Sequence, residues 1–232
     1  MSGTMIEFRA NGRTALRTRR GAGYLSLPAT GTGPGVLVIQ EYWGLVDHIK
    51  DVADRFAAEG FVALAPDLYH GESTTHPDEA GRRMMALDIG NAGAELRGAA
   101  DYLLAHDRVA GKCVGAVGFC MGGQLALAAA CDHPDVFGAA VDFYGIHPAV
   151  APKLGDLNCA VQAHFADNDG FVPIADARAL VERIAAAGKR VDSHVYPAGH
   201  AFFNDARPEA YHAASAALAW QRTLAFLRAE LA

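Results

Sequence analysis

The chain has 232 residues, 51% of them hydrophobic and 20% charged, an ordinary globular balance with enough length for one sizeable core. The net charge of −6 provides no basic footprint and argues against nucleic acid as a partner. The longest apolar runs stop well short of membrane-spanning length, and four irregularly spaced cysteines suggest neither a disulfide framework nor a zinc site.

The first residues, "MSGTMIEFRANGRTALRTRRGAGY", lack the apolar centre of a signal peptide, so a reduced cytoplasmic setting is the expectation. "TALRTR" (14–19) and "GYLSLP" (23–28) alternate polar and apolar residues and predict a hairpin of edge strands. "GVLVIQ" (35–40) is a continuous apolar run, the mark of a strand buried on both faces. Residues 47–60 place Ile49, Val52, Ala53 and Phe56 at helical spacing and stop at Gly60. "FVALAP" (61–66) is the next predicted strand, and the loop after it leads into one long helix ending near His106.

The alternation continues with strand 114–119, helix 121–132, strand 138–145, strand 160–166, helix 174–188, strand 191–197 and a final helix over 208–231. Strands alternating with helices predict a mostly parallel sheet covered on both faces, without repeat or linker.

In such folds ligands gather at the carboxyl ends of the strands. One such end carries Gly118-Phe119-Cys120-Met121-Gly122, a G-x-C-x-G string with the pattern of a nucleophile elbow. Glycines suit the crowded strand-to-helix turn, and the helix start would favour a thiolate on Cys120. The Met121 N–H would lie ready to stabilise an oxyanion. Cys113, Cys131 and Cys159 read as small buried hydrophobes. The string lacks both G-x-G-x-x-G and G-K-[ST], which sets a phosphate loop aside, and the ten histidines contain no H-E-x-x-H.

An elbow nucleophile needs an acid and a base later in the chain, in that order. Asp167 and Asp169 follow the strand at 160–166, and His200 follows the strand at 191–197. His200 is the candidate base; either aspartate could orient it. His164, inside a strand, reads as a satisfied core side chain. Glu41 directly follows the first buried strand, a costly place for a carboxylate unless it is paired or functional. The loop it opens, with Tyr42 next, is where elbow folds take a second oxyanion donor.

The strings "QEYWG", "APDLYHG", "GFCMGG", "FYG", "DNDGFVP" and "AGHAFFND" occur in the order of one known family. Along nearly its whole length the chain resembles the dienelactone hydrolases (carboxymethylenebutenolidases), a branch of the α/β-hydrolases, as one domain over 1–232. The resemblance implies a Cys120–Asp169–His200 triad, and chooses Asp169 over Asp167. It also implies that Glu41 contacts the resting thiol and moves when substrate arrives, helping to form the thiolate. No cofactor or metal is needed, and the expected partner is a small ester or lactone; nothing fixes an oligomeric state.

Two arginines hold the carboxylate of dienelactone in the family. Here the first corresponds to Arg82 or Arg83, while the second position is Asn204, with Arg207 nearest. Trp43, Tyr144, Phe171 and Phe202 are expected to line the pocket. The leading expectation is a hydrolase opening a carboxylate-bearing lactone through a thioester. A general small-acyl carboxylesterase or thioesterase is the alternative, favoured by Asn204. A non-catalytic ligand-binding relative is the alternative from another class, opposed by the intact Cys120, Asp169, His200 and Glu41.

Overall fold

The computed structural model describes residues 3–10 and 19–232. Among the described residues, eight strands form one sheet: β1 (Thr4–Ala10), β2 (Arg19–Ser26), β3 (Gly33–Ile39), β4 (Val62–Pro66), β5 (Val109–Phe119), β6 (Phe137–Phe143), β7 (Ala160–Ala166) and β8 (Val191–Tyr196). Their order is β1-β2-β4-β3-β5-β6-β7-β8. The pairs β1–β2 and β2–β4 are antiparallel and the remaining pairs parallel, so the expected α/β-hydrolase sheet is present.

Among the described residues, six α-helices connect and cover the strands: α1 (Asp47–Ala58), α2 (Pro77–Ala86), α3 (Ile89–Leu104), α4 (Met121–Asp132), α5 (Ile174–Ala186) and α6 (Ala213–Glu230). Strand alternation decides which face each residue feeds. Val36 and Val38 of β3 join Ile49, Val52 and Phe56 of α1 and Leu224 and Leu227 of α6. Leu37 and Ile39 point the other way, into the layer of Leu96 and Leu103 from α3, Leu125 from α4 and Leu180 and Ile184 from α5. Each such aliphatic side chain contributes about 1.5–3 kcal/mol by leaving water. Among the described residues no helix is long and apolar enough to cross a membrane.

Three details depart from expectation. The strand predicted at 14–19 lies almost wholly outside the described residues; β2 instead pairs with β1, Thr4 opposite Leu25. The single long helix is two, because Asp88 accepts from the Asn91 N–H at 3.0 Å and starts α3 anew. The last helix begins at Ala213 rather than Pro208, capped by His212, which accepts from the Ser215 N–H.

Candidate active site

Strand β5 ends at Phe119 and α4 begins at Met121, leaving Cys120 alone in the turn with φ +53° and ψ −120°. That left-handed conformation is strained for a residue with a side chain, and persists where its surroundings over-determine it. Here they do. The Cys120 N–H donates to the Phe143 carbonyl at 2.9 Å, and the Cys120 carbonyl accepts from the Gly123 N–H at 2.9 Å. A Cβ on Gly118 would collide with the Gly122 carbonyl, and one on Gly122 would come within 2.5 Å of the carbonyl oxygens of Ile39 and Gln40. The expected elbow is therefore formed by backbone packed directly on backbone. Tyr144 and Ala201, at the ends of β6 and beyond β8, also have positive φ, +45° and +59°.

His200 lies in the turn after β8, and its Nδ1 meets Asp169 Oδ2 at 2.8 Å. Asp169 is itself held by the N–H groups of Phe171 and Val172, donating to its Oδ1 at 2.7 and 2.8 Å. Asp167 is exposed and does not take that place. Burial lowers the basicity of His200, but the hydrogen bond to Asp169 and the nearby Cys120 thiol outweigh it, raising the imidazole to about 10. Cys120, Asp169 and His200, in that order along the sequence, thus converge on one spot at the carboxyl ends of β5, β7 and β8.

Glu41 follows β3 and is buried. Asn204 Nδ2 donates to Glu41 Oε2 at 2.7 Å, while Glu41 Oε1 has no hydrogen-bond partner. Burial pushes the carboxyl up; Asn204 and the charges of His200 and Arg207 pull it part of the way back. The Tyr144 hydroxyl is close enough to Glu41 and Cys120 to be raised well above its usual range, burial being the larger cause, yet makes no hydrogen bond of proper geometry.

The other residues divide. Met121 opens α4, where a first-turn N–H lacks an intrahelical acceptor. Tyr42 stands beside Cys120 and its ring packs against Trp43 at 4.3 Å. Phe171 is 74% exposed with its ring 4.9 Å from His200. Tyr144 is fully buried beneath the imidazole, edge to face at 5.1 Å. Phe202 also belongs to the core, packed on Tyr144 and Tyr196, and presents no surface for a ligand; its place in the "AGHAFF" loop suggested otherwise.

The arginines are placed apart. Arg82 is exposed. Arg83 is bridged to Glu79 at 2.7 Å and to Glu72, in the wall of a small cavity behind Tyr69. Arg207 pairs with Glu209 at 2.7 Å and lies over the Trp43 ring, 4.8 Å from its centre.

Three features escaped the sequence reading. Asn204 was an anomaly in the sequence and is the partner of Glu41 in space. Asp142 on β6 lies beneath the elbow, accepting from the Gly145 N–H at 2.8 Å, with its carboxyl pushed well up by burial. An acid inside an apolar strand was the available signal. His48 is buried on α1 and paired with Asp205. His164 is satisfied as expected, by Tyr196, Gln162 and Thr223 at 2.8–3.1 Å.

A sequence profile described as the dienelactone hydrolase family matches residues 22–231. Protein usf of Aquifex pyrophilus is 37% identical over 97% of this chain and 98% of its own. An Aquifex aeolicus protein provisionally named carboxymethylenebutenolidase is 30% identical over 99% of both chains. The crystal structure of a provisionally identified dienelactone hydrolase from Klebsiella pneumoniae superposes with a TM-score of 0.83. It is 26% identical and covers 97% of this chain and 99% of its own.

Proposed function

The chain belongs to the dienelactone hydrolase family and is an ester hydrolase, and from that premise we propose that it cleaves small lactones and enol esters through Cys120. The observation carrying this reading is the strained, half-buried Cys120 beside a His200 that Asp169 fixes at 2.8 Å.

The Cys120 thiolate attacks the ester carbonyl, and the developing oxyanion is stabilised by the backbone N–H groups of Met121 and Tyr42. Collapse breaks the carbon–oxygen bond, leaving a thioester on Cys120, while the His200 imidazolium gives its proton to the departing oxygen. Water then attacks the thioester with His200 as base, releasing the acid and restoring the thiol. Asp169 holds the imidazole in the productive tautomer. Glu41 is buried beside this centre, and the family resemblance gives it a contact with the resting thiol and a movement when substrate arrives.

A carboxylate-bearing lactone is the leading substrate. A neutral small-acyl ester is the second reading, favoured because Asn204 is engaged by Glu41 and both Arg83 and Arg207 are paired with glutamates. The test is hydrolysis of cis- and trans-dienelactone beside p-nitrophenyl acetate, by wild type and Cys120→Ala, with mass spectrometry of the trapped thioester. Efficient opening of dienelactone by wild type alone supports the first reading; cleavage of the neutral ester alone, through Cys120, supports the second. Equal rates for wild type and variant on every ester would overturn both.

A further inference from the structure

The sheet ends at β8, which pairs with β7 on one side; among the described residues no strand meets its outer edge. The ladder to β7 shows which main-chain groups that edge offers. The Arg190 carbonyl accepts from the Val161 N–H at 2.9 Å, and the Tyr196 carbonyl from the Asp167 N–H at 3.0 Å. In a parallel ladder a residue turns its N–H and C=O to the same side, and successive residues alternate. Residues 190, 192, 194 and 196 therefore face β7, while Val191, Ser193 and Val195 turn both groups outward.

Open edges are usually blunted by proline, lysine, a bulge or a covering segment. Between Val191 and Tyr196 there is neither proline nor lysine, and the register against β7 runs through the whole strand without a bulge. Asp192 and Ser193 are exposed, and Val195, an apolar residue, is 47% exposed.

The strand is also complementary to itself. An antiparallel copy centred on Ser193 sets Val191 opposite Val195, Ser193 opposite its own counterpart, and Asp192 opposite His194. The valine and serine pairs consist wholly of outward-turned residues, so each pair exchanges two main-chain hydrogen bonds. The valines meet on the face that carries α5, where Val191 already packs against the core. On the other face Asp192 of one copy meets His194 of the second, an acid against a base. Within one chain the same two side chains already bond, Asp192 Oδ2 accepting from His194 Nε2 at 3.1 Å. Other centres match less well. A centre at Asp192 opposes two carboxylates, which is destabilising, and a centre at His194 sets each Val195 against a serine.

We propose that β8 is a homodimer interface, pairing antiparallel with β8 of a second copy about a two-fold axis at Ser193, so that two sheets become one. A two-fold contact uses the same patch twice and needs a self-complementary surface, which Val191, Asp192, Ser193, His194 and Val195 provide. The pairing stands apart from the ester chemistry proposed above.

Light scattering after size exclusion should give twice the mass of one chain for the wild type at micromolar concentrations. Ser193→Pro removes an outward N–H and leaves the ladder to β7 intact, since an edge strand tolerates proline where its N–H faces away from the sheet. This variant should run as a monomer. Val195→Lys, which places a charge on the edge without changing the main chain, should do the same and decides the matter should the proline variant not fold. Circular dichroism and thermal melts check the fold of both. Oxidative crosslinking in a Cys120→Ala background reads the register. Ser193→Cys should crosslink to its own counterpart, because facing Cα atoms of a hydrogen-bonded pair lie about 5.5 Å apart, within disulfide reach. Val195→Cys should not, because it faces Val191. A monomeric wild type would overturn the proposal, as would a dimer that survives both substitutions, or a Ser193→Cys variant that crosslinks no better than Val195→Cys.

Discussion

Asn204 donates from Nδ2 to Oε2 of Glu41 at 2.7 Å, joining two loops 163 residues apart in sequence within a buried site. The bond supplies the carboxylate with a neutral donor where an arginine would supply a charge. Asn204→Ala should therefore cost about 1–3 kcal/mol of stability in denaturant unfolding, the usual penalty for an orphaned buried acceptor.

The same site makes a pH prediction for Glu41→Gln. Burial raises the folded-state carboxyl above its unfolded value, so the ionised form costs stability once the pH exceeds the unfolded value near 4.5. The glutamine variant should melt higher than wild type at pH 8, and the difference should shrink toward zero at pH 4. A constant difference across that range would contradict a buried, ionising Glu41.

His200 titrates in the opposite sense. Its folded-state value of about 10 exceeds the ordinary 6.5, so its contribution to stability is complete below 6.5 and is lost as the pH rises through about 10. Since Cys120 supplies part of that shift, Cys120→Ala should move the NMR titration of the His200 ring downward. An unmoved titration would mean that the thiol and imidazole do not interact.

Asp169→Asn should keep the fold and reduce kcat by about 10³–10⁴, because an amide at this place can stabilise the wrong imidazole tautomer. Steady-state kinetics on an activated ester, beside circular dichroism, checks both halves.

Thiol reactivity gives a third readout of the site. Cys131 and Cys159 are pushed up to about 12 by burial, and Cys113 is also raised. Iodoacetamide at pH 8 should therefore modify Cys120 first, with Cys131 and Cys159 slower by roughly a hundredfold or more and Cys113 also slower, since only thiolates react. Peptide mapping after one equivalent of reagent decides the point.

Much of this was legible locally. The limits of α4 and β7 were readable because an Ala-rich run begins right after the elbow and "AVQAHFA" is apolar but for Gln162 and His164. The elbow announced itself through Gly118 and Gly122, and His200 through its position just past a strand end; position left Asp167 and Asp169 both open, and the family resemblance chose between them. The break before α3 was hidden, because residues 82–96 keep helical spacing straight through Leu87 and Asp88 and only the cap bond reveals the restart. The pairing of Asn204 with Glu41 and of His48 with Asp205 is tertiary; neither is encoded by spacing along the chain. Phe202 was misjudged for the same reason: it lies in the loop just after His200, but its ring turns inward onto Tyr144 and Tyr196.

The packing at the elbow divides the molecule into a part that cannot drift and a part that can. Main-chain atoms of residues 39–40, 118 and 122 fix where the sulfur stands, so side-chain changes have little purchase on it. Substitution of Gly122 by alanine should accordingly cost both stability and activity together, by about 1–3 kcal/mol in the former. The loops at 73–77 and 204–209 lie beside that fixed part and line a cavity of about 600 Å³. Substitutions in those two loops would reshape the cavity and leave the sulfur of Cys120 where the main chain holds it.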